Sequence, residues 1–222
     1  MNQIRYLLLV LLVLLLDGCT MNLQLSGDVT AQAEETQGVV VNDIPTLTVN
    51  HFAGKIDVQE GESGKITADL TKKSRLADET AAQAQLDEIE MAFSQSGSDV
   101  TLSIEGPEST EEVLSGASGD LELTVPPGTV LVLNLGAGEI TVTQPTGDVT
   151  VNSGAGQATV TLPQDASFRL VVAGGVTGIS SDFEGVPSGG IATDVDTIIG
   201  SNPTQTLTFN VGAGEVNLRK AQ

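Results

Sequence analysis

Chemistry in this 222-residue chain has to be sought among few groups, because it holds one histidine, His51, one cysteine, Cys19, and 9 basic against 29 acidic side chains. A serine nucleophile needs a base at its side, yet no Gly-x-Ser-x-Gly elbow occurs and His51 falls at what reads as a turn. One His and one Cys do not make the four-donor set of a zinc site. Gly136-Ala137-Gly138, Gly154-Ala155-Gly156 and Gly212-Ala213-Gly214 each begin like a dinucleotide loop. Thr141, Thr159 and Asn217 stand where the third glycine belongs, and strand patterns follow where a helix is required. Oxygen chemistry remains. Asp182 and Glu184, with Asp194 and Asp196, lie in or beside a Gly-, Ser- and Pro-rich stretch, and carboxylates are the ligands calcium selects. They match no calcium-loop spacing, so solvated loop side chains are the plainer reading. The same carboxylates beside Arg169 are the groups a glycan-cleaving enzyme would use. Lys72-Lys73-Arg75, the densest basic run, reads as an exposed turn. The expectation is a protein with no cofactor, no metal and no catalytic residues, and hence not an enzyme.

Cys19 invites different chemistry. Arg5 supplies a positive charge, Leu7 to Leu16 are ten unbroken apolar residues, and Asp17-Gly18-Cys19 follows. That is the layout of a secretory signal, and the apolar run is well short of the roughly 20 residues that span a bilayer. Leu16-Asp17-Gly18-Cys19 resembles the bacterial lipobox, with Leu and Gly in their usual places and Asp17 a departure. The resemblance implies that Cys19 is lipidated, palmitate-type chains included, and becomes the first mature residue. Several acyl chains on one residue hold a protein to a membrane where one chain does not. The chain then divides into a lipoprotein signal peptide (1–18), a lipidated flexible tether (19–44) rich in Thr, Gln, Gly and acid, and a folded domain (45–220).

The elements that must build that domain are announced by a repeat. Apolar residues are 40% of the chain and aromatics only 3%, with 25 glycines, a mixture suited to short strands and tight turns. Leu47 to Val58, Leu131 to Val142, Val149 to Val160 and Leu207 to Leu218 each read apolar-x-apolar-Asn, a glycine corner, then apolar-x-apolar. The corner residues are Asn50 and Gly54, Asn134 and Gly138, Asn152 and Gly156, and Asn210 and Gly214. Gly138, Gly147 and Gly156 are spaced nine residues apart and each precedes a strand pattern, so two strands and two turns make an 18-residue coil. This predicts an all-β, single-domain β-solenoid, a right-handed β-helix or β-roll, of about nine coils and ~45 Å length. Aligned Asn134 and Asn152 are placed to hydrogen-bond up one corner. Between the first two copies, Ala77 to Leu86 reads as a short helix or an excursion, and alternation at 89–93 and 100–104 reads as a hairpin.

These Gly-x-Ile-x-Val units and the Pro126-Pro127-Gly128 turn resemble the bacterial putative-adhesin domains of unknown function, over residues 45–219. The resemblance implies a β-helix or β-roll in the cell envelope and brings no catalytic residues. A net charge of −20 repels phosphate backbones, so nucleic acid is not a partner. The sequence therefore points to a lipid-anchored, extracytoplasmic module for binding, adhesion or scaffolding. Its partners are the membrane, through its lipid, and an envelope protein or surface glycan. The alternatives are a β-helix glycan-processing enzyme and an envelope-stress sensor lipoprotein.

Overall fold

The computed structural model describes residues 31–107, 116–187 and 194–222. The chain is mostly β. In order it forms β1 (Ala31–Val40), β2 (Thr46–Glu60), β3 (Lys65–Ser74), α1 (Glu79–Asp87), β4 (Glu90–Ser96) and β5 (Asp99–Glu105). Then come β6 (Ser118–Val125), β7 (Val130–Thr143), β8 (Val149–Leu162), β9 (Phe168–Ser181), β10 (Val195–Ile199) and β11 (Gln205–Lys220). All the strands join one open sheet with the order β1-β3-β6-β2-β7-β8-β11-β9-β10, and β5 branches from β2 carrying β4.

The four repeat copies are β2, β7, β8 and β11, and β9, with Gly174-Gly175 near its middle, joins them as a degenerate copy. They stack in parallel with like residues in register: Leu47 beside Leu131, Leu131 beside Val149, Val149 beside Leu207, and Leu207 beside Leu170. Each is bent, and the bend shifts the alternation by one. In β7, Leu131, Leu133 and Leu135 point inward before the bend and Ile140 and Val142 after it. Both limbs thus present apolar rows to one shared cluster, in which Leu133, Val151, Phe209 and Val160 are fully buried.

The bend dictates its own residue. Gly138 has φ 138° and Gly156 φ 137°, where side chains are strained. A Cβ on Gly138 would be driven into the carbonyl oxygen of Gly54, and one on Gly156 into that of Gly138. Gly54 and Gly214 continue the same column.

Beyond the repeat, the sheet forks at β2. Its first limb pairs with β5 and its second with β6, so the β4–β5 hairpin extends one limb and β6, β3 and β1 the other. Helix α1 starts where the Asp78 carboxylate accepts from the Ala81 amide at 2.8 Å. It buries Ala82, Gln85 and Leu86, and Ser74 donates to Gln85 at 2.5 Å.

Two expectations change. Residues 31–40, assigned to the tether, form β1, with Ala31 and Ala33 buried against β3 and polar residues outside. The small buried residues leave little hydrophobic contrast to read. Among the described residues the strands also do not follow one another as a regular succession of about nine 18-residue coils. The 18-residue offset holds between β7 and β8, but β11 then enters between β8 and β9, so order in space departs from order in the chain.

Two outcomes follow from this geometry. Gly138→Ala should cost roughly 3 kcal/mol in urea unfolding, combining strained φ with backbone collision. Removing residues 205–222 leaves β8 and β9 without their shared neighbour and should abolish the cooperative thermal transition.

Candidate functional site

The corner of β2 gathers the features that stand out. Inward alternation through Leu47 and Val49 runs on to His51, which is 4% exposed. Its neighbours in the same row are Leu135, Ser153 and Val211. His51 is therefore a core position and not the turn residue expected from sequence; the period of two through 47, 49 and 51 was the available signal. Its Nε2 lies 2.8 Å from the Gly119 carbonyl oxygen, which only accepts, so Nε2 carries the proton. Nδ1 is left buried without a hydrogen-bond partner. The ring meets Phe52 edge-on, with centroids 5.4 Å apart. Burial is the main influence on its pKa and lowers it, opposed by the Gly119 bond and the charge of Asp120. Ser153 Oγ is also buried without a partner, but Leu135 separates it from His51, leaving two strand spacings or about 10 Å between them.

One residue before His51 the side chains point outward. Asn134 Nδ2 donates to Asn50 Oδ1 at 2.9 Å, Asn152 to Asn134 at 2.7 Å and Asn210 to Asn152 at 2.7 Å. The ladder crosses β2, β7, β8 and β11. It stops where Ser103 of β5 lies beside Asn50 and Ala173 of β9 beside Asn210. An open groove of about 690 Å³ lies along it, lined by Asn50, Asn134 and Asn152 with Phe52, Ser103 and Glu105.

A second groove, of about 410 Å³, lies past the bend and holds Lys55, Lys73 and Arg75 with Asp120 and Glu139. Lys73 is paired with Asp120, and Lys55 with Asp57 at 2.6 Å, a bond that raises the Lys55 pKa. Its positive charge is thus largely compensated within the protein.

The acidic candidates are held by different partners or by none that makes a metal site. Arg169 grips Asp196 with two bonds, at 2.9 and 2.7 Å, and holds its carboxyl below the ordinary carboxylate range. Asp182, just past the other end of β9, accepts from the Lys220 amide at 3.1 Å and lies 3.6 Å from Arg219. Glu184 and Asp194 are exposed. Among the described residues no three His, Cys, Asp or Glu side chains are grouped to hold a metal ion. Cys19, with the expected signal peptide, lies outside the described residues. Among those described, no helix is long and apolar enough to cross a membrane.

Residues 28–182 match the family described as "N-terminal domain of toast_rack, DUF2154". No curated protein matches the chain. A crystal structure of a "putative cell adhesion protein" from Clostridium sporogenes ATCC 15579 superposes with a TM-score of 0.54 at 16% identity, covering 85% of this chain and 100% of that one. That likeness is one of fold. A "putative adhesin" from Bacteroides fragilis NCTC 9343 is 11% identical and covers 83% of this chain and 96% of its own; its TM-score of 0.23 carries no argument.

His51 gives stability a pH dependence of known sign. Its folded pKa lies below the usual 6.5, so protons favour the unfolded chain. Its contribution is intact above pH 6.5 and is lost below it, by at most about 1.4 kcal/mol per pH unit. Replacing His51 with Leu, the residue at position 135, should reduce the difference in urea midpoint between about pH 7.5 and about pH 5.5. An unchanged difference would assign the acid sensitivity to the carboxylates.

Proposed function

The chain belongs to the DUF2154 family of N-terminal toast_rack domains, and from that membership and the bent-strand fold we propose that it is a non-enzymatic binding module of the cell envelope. The stacked strands are read as a short β-solenoid, held at the outer side of a membrane by lipid on Cys19. The observation that carries the proposal is the asparagine ladder beside an open groove, a polar surface fixed before any ligand arrives. Fixed polar groups favour binding because little side-chain freedom is left to lose.

Two further features support the reading. The fold neighbour from Clostridium sporogenes is described as a "putative cell adhesion protein", which suits an adhesion or scaffolding role. Of the carboxylates that a glycan-cleaving enzyme would need, Asp196 and Asp182 are engaged by Arg169 and Arg219, and Glu184 and Asp194 are exposed. The partner is an envelope protein or a surface glycan, and the net charge of −20 argues against nucleic acid.

The anchor is tested by Cys19→Ser, which should move the protein from the membrane fraction to the soluble fraction; continued tight retention would remove the lipid anchor. The binding role is tested by cross-linking the full-length protein in cells. Recurrent capture of one envelope protein or of surface glycan is expected, and no specific capture would overturn the module.

A further inference from the structure

We infer that the groove beside the asparagine ladder binds a neutral, extended polysaccharide strand that lies across β5, β2, β7 and β8. The inference rests on the binding-module reading and names the ligand class of that site.

The lining is the first reason. Asn50, Asn134, Asn152, Ser103 and Glu105 supply amides, a hydroxyl and a carboxylate, and Phe52 supplies the aromatic surface. Sugars offer paired hydroxyls, each both donor and acceptor, and an apolar C–H face, which that set complements. No Lys or Arg lines the groove and Glu105 is exposed within it, so an anionic polymer would meet only negative charge there. Ile104, Pro107 and Leu135 also line it but are buried, so Phe52 alone does not make the apolar stripe an amphipathic helix needs. A peptide adding as a strand needs a free sheet edge, whereas β2 is already paired with β5 and β7 along this limb.

The ladder supplies the second reason. An amide offers two N–H donors and two lone pairs on oxygen. Asn134 commits one of each to its neighbours, and so does Asn152, leaving an N–H and a lone pair on each. Within the groove the ladder amides of Asn50, Asn134 and Asn152 recur at the strand spacing, and across these three strands they make a track of about 10 Å. A donor–acceptor pair repeated along a line fits a ligand whose own hydroxyls repeat along a line. A single small sugar would use only one step of it.

The test is calorimetric titration of the full-length protein, in detergent micelles, with three hexasaccharide probes. Two are neutral, of β-1,4-linked N-acetylglucosamine and of β-1,4-linked glucose, and the third is an anionic oligogalacturonate. Saturable binding of at least one neutral probe is expected, with none of the anionic one. Asn134→Ala and Glu105→Ala should each weaken it about tenfold, the loss of roughly one hydrogen bond. Asn210→Ala, within the ladder but outside the groove, should leave it unchanged. Glu105 is exposed, so its variant reports on the groove even where loss of Asn134 disturbs the fold. Absence of neutral binding, or equal losses from Asn210→Ala and Glu105→Ala, would overturn the inference. Preference for the anionic probe, or cross-linking to an envelope protein alone, would overturn it too while leaving the binding module standing.

Discussion

Neighbouring backbones touch at the bends of the long strands, and little else in the molecule could be arranged as it is without that contact. Gly119, Gly54, Gly138, Gly156 and Gly214 form a column in which each later member has no room for a Cβ beside the carbonyl of the one it faces. Because the bends superpose, each of the long repeat strands changes face at the same height and both limbs turn apolar rows to one core. The asparagine stands four residues before the bend glycine in each of the four copies, as in Asn134 and Gly138. The amides therefore arrive at hydrogen-bonding distance as a by-product of the backbone constraint, and the outward groove along them inherits that order.

The charge distribution has its own logic. Of the nine basic residues, Lys55, Lys72, Lys73, Arg169 and Arg219 are in ion pairs. Three of these pairs cross between strands at the margins of the sheet: Lys72 of β3 to Glu35 of β1, Lys73 of β3 to Asp120 of β6, and Arg169 of β9 to Asp196 of β10. The exposed Arg169–Asp196 pair contributes little to stability, and Lys72–Glu35 is the most sheltered of the three. Their placement still matters, because outer strands have neighbours on one side only. The excess of acid leaves the surface strongly negative, which discourages edge-to-edge association.

Much of the parallel stack was legible because its signal is local and repeated. The 18-residue spacing of Gly138 and Gly156 reappears as the register of β7 on β8, and 89–93 with 100–104 forms the antiparallel β4–β5 hairpin. Strand order was not legible. Nothing in Gln205–Lys220 distinguishes a strand added at the end from one inserted between β8 and β9, since all three carry the same inward pattern. β1 was missed because its buried residues Ala31 and Ala33, beside Ser74 and Lys72 of β3, are too small to stand out from a polar stretch. His51 was misplaced because a polar residue on an inward row looks, in one dimension, like the start of a loop. The groove was invisible for a related reason: it joins β5, β2, β7 and β8, whose contributions are far apart in the chain.

The position of β11 also bears on how the molecule can be made. The strand is near the carboxyl end of the chain, yet it has β8 on one side and β9 on the other along almost its whole length. A chain emerging from its N-terminus can form the β7–β8 pair early, since these lie close in sequence. Until residues 205–220 are delivered, β8 and β9 each expose a long, apolar-faced edge. The nascent protein therefore passes through a window of vulnerability to misassembly that closes only when β11 slides home between β8 and β9, and a holding chaperone would be of most use in that interval.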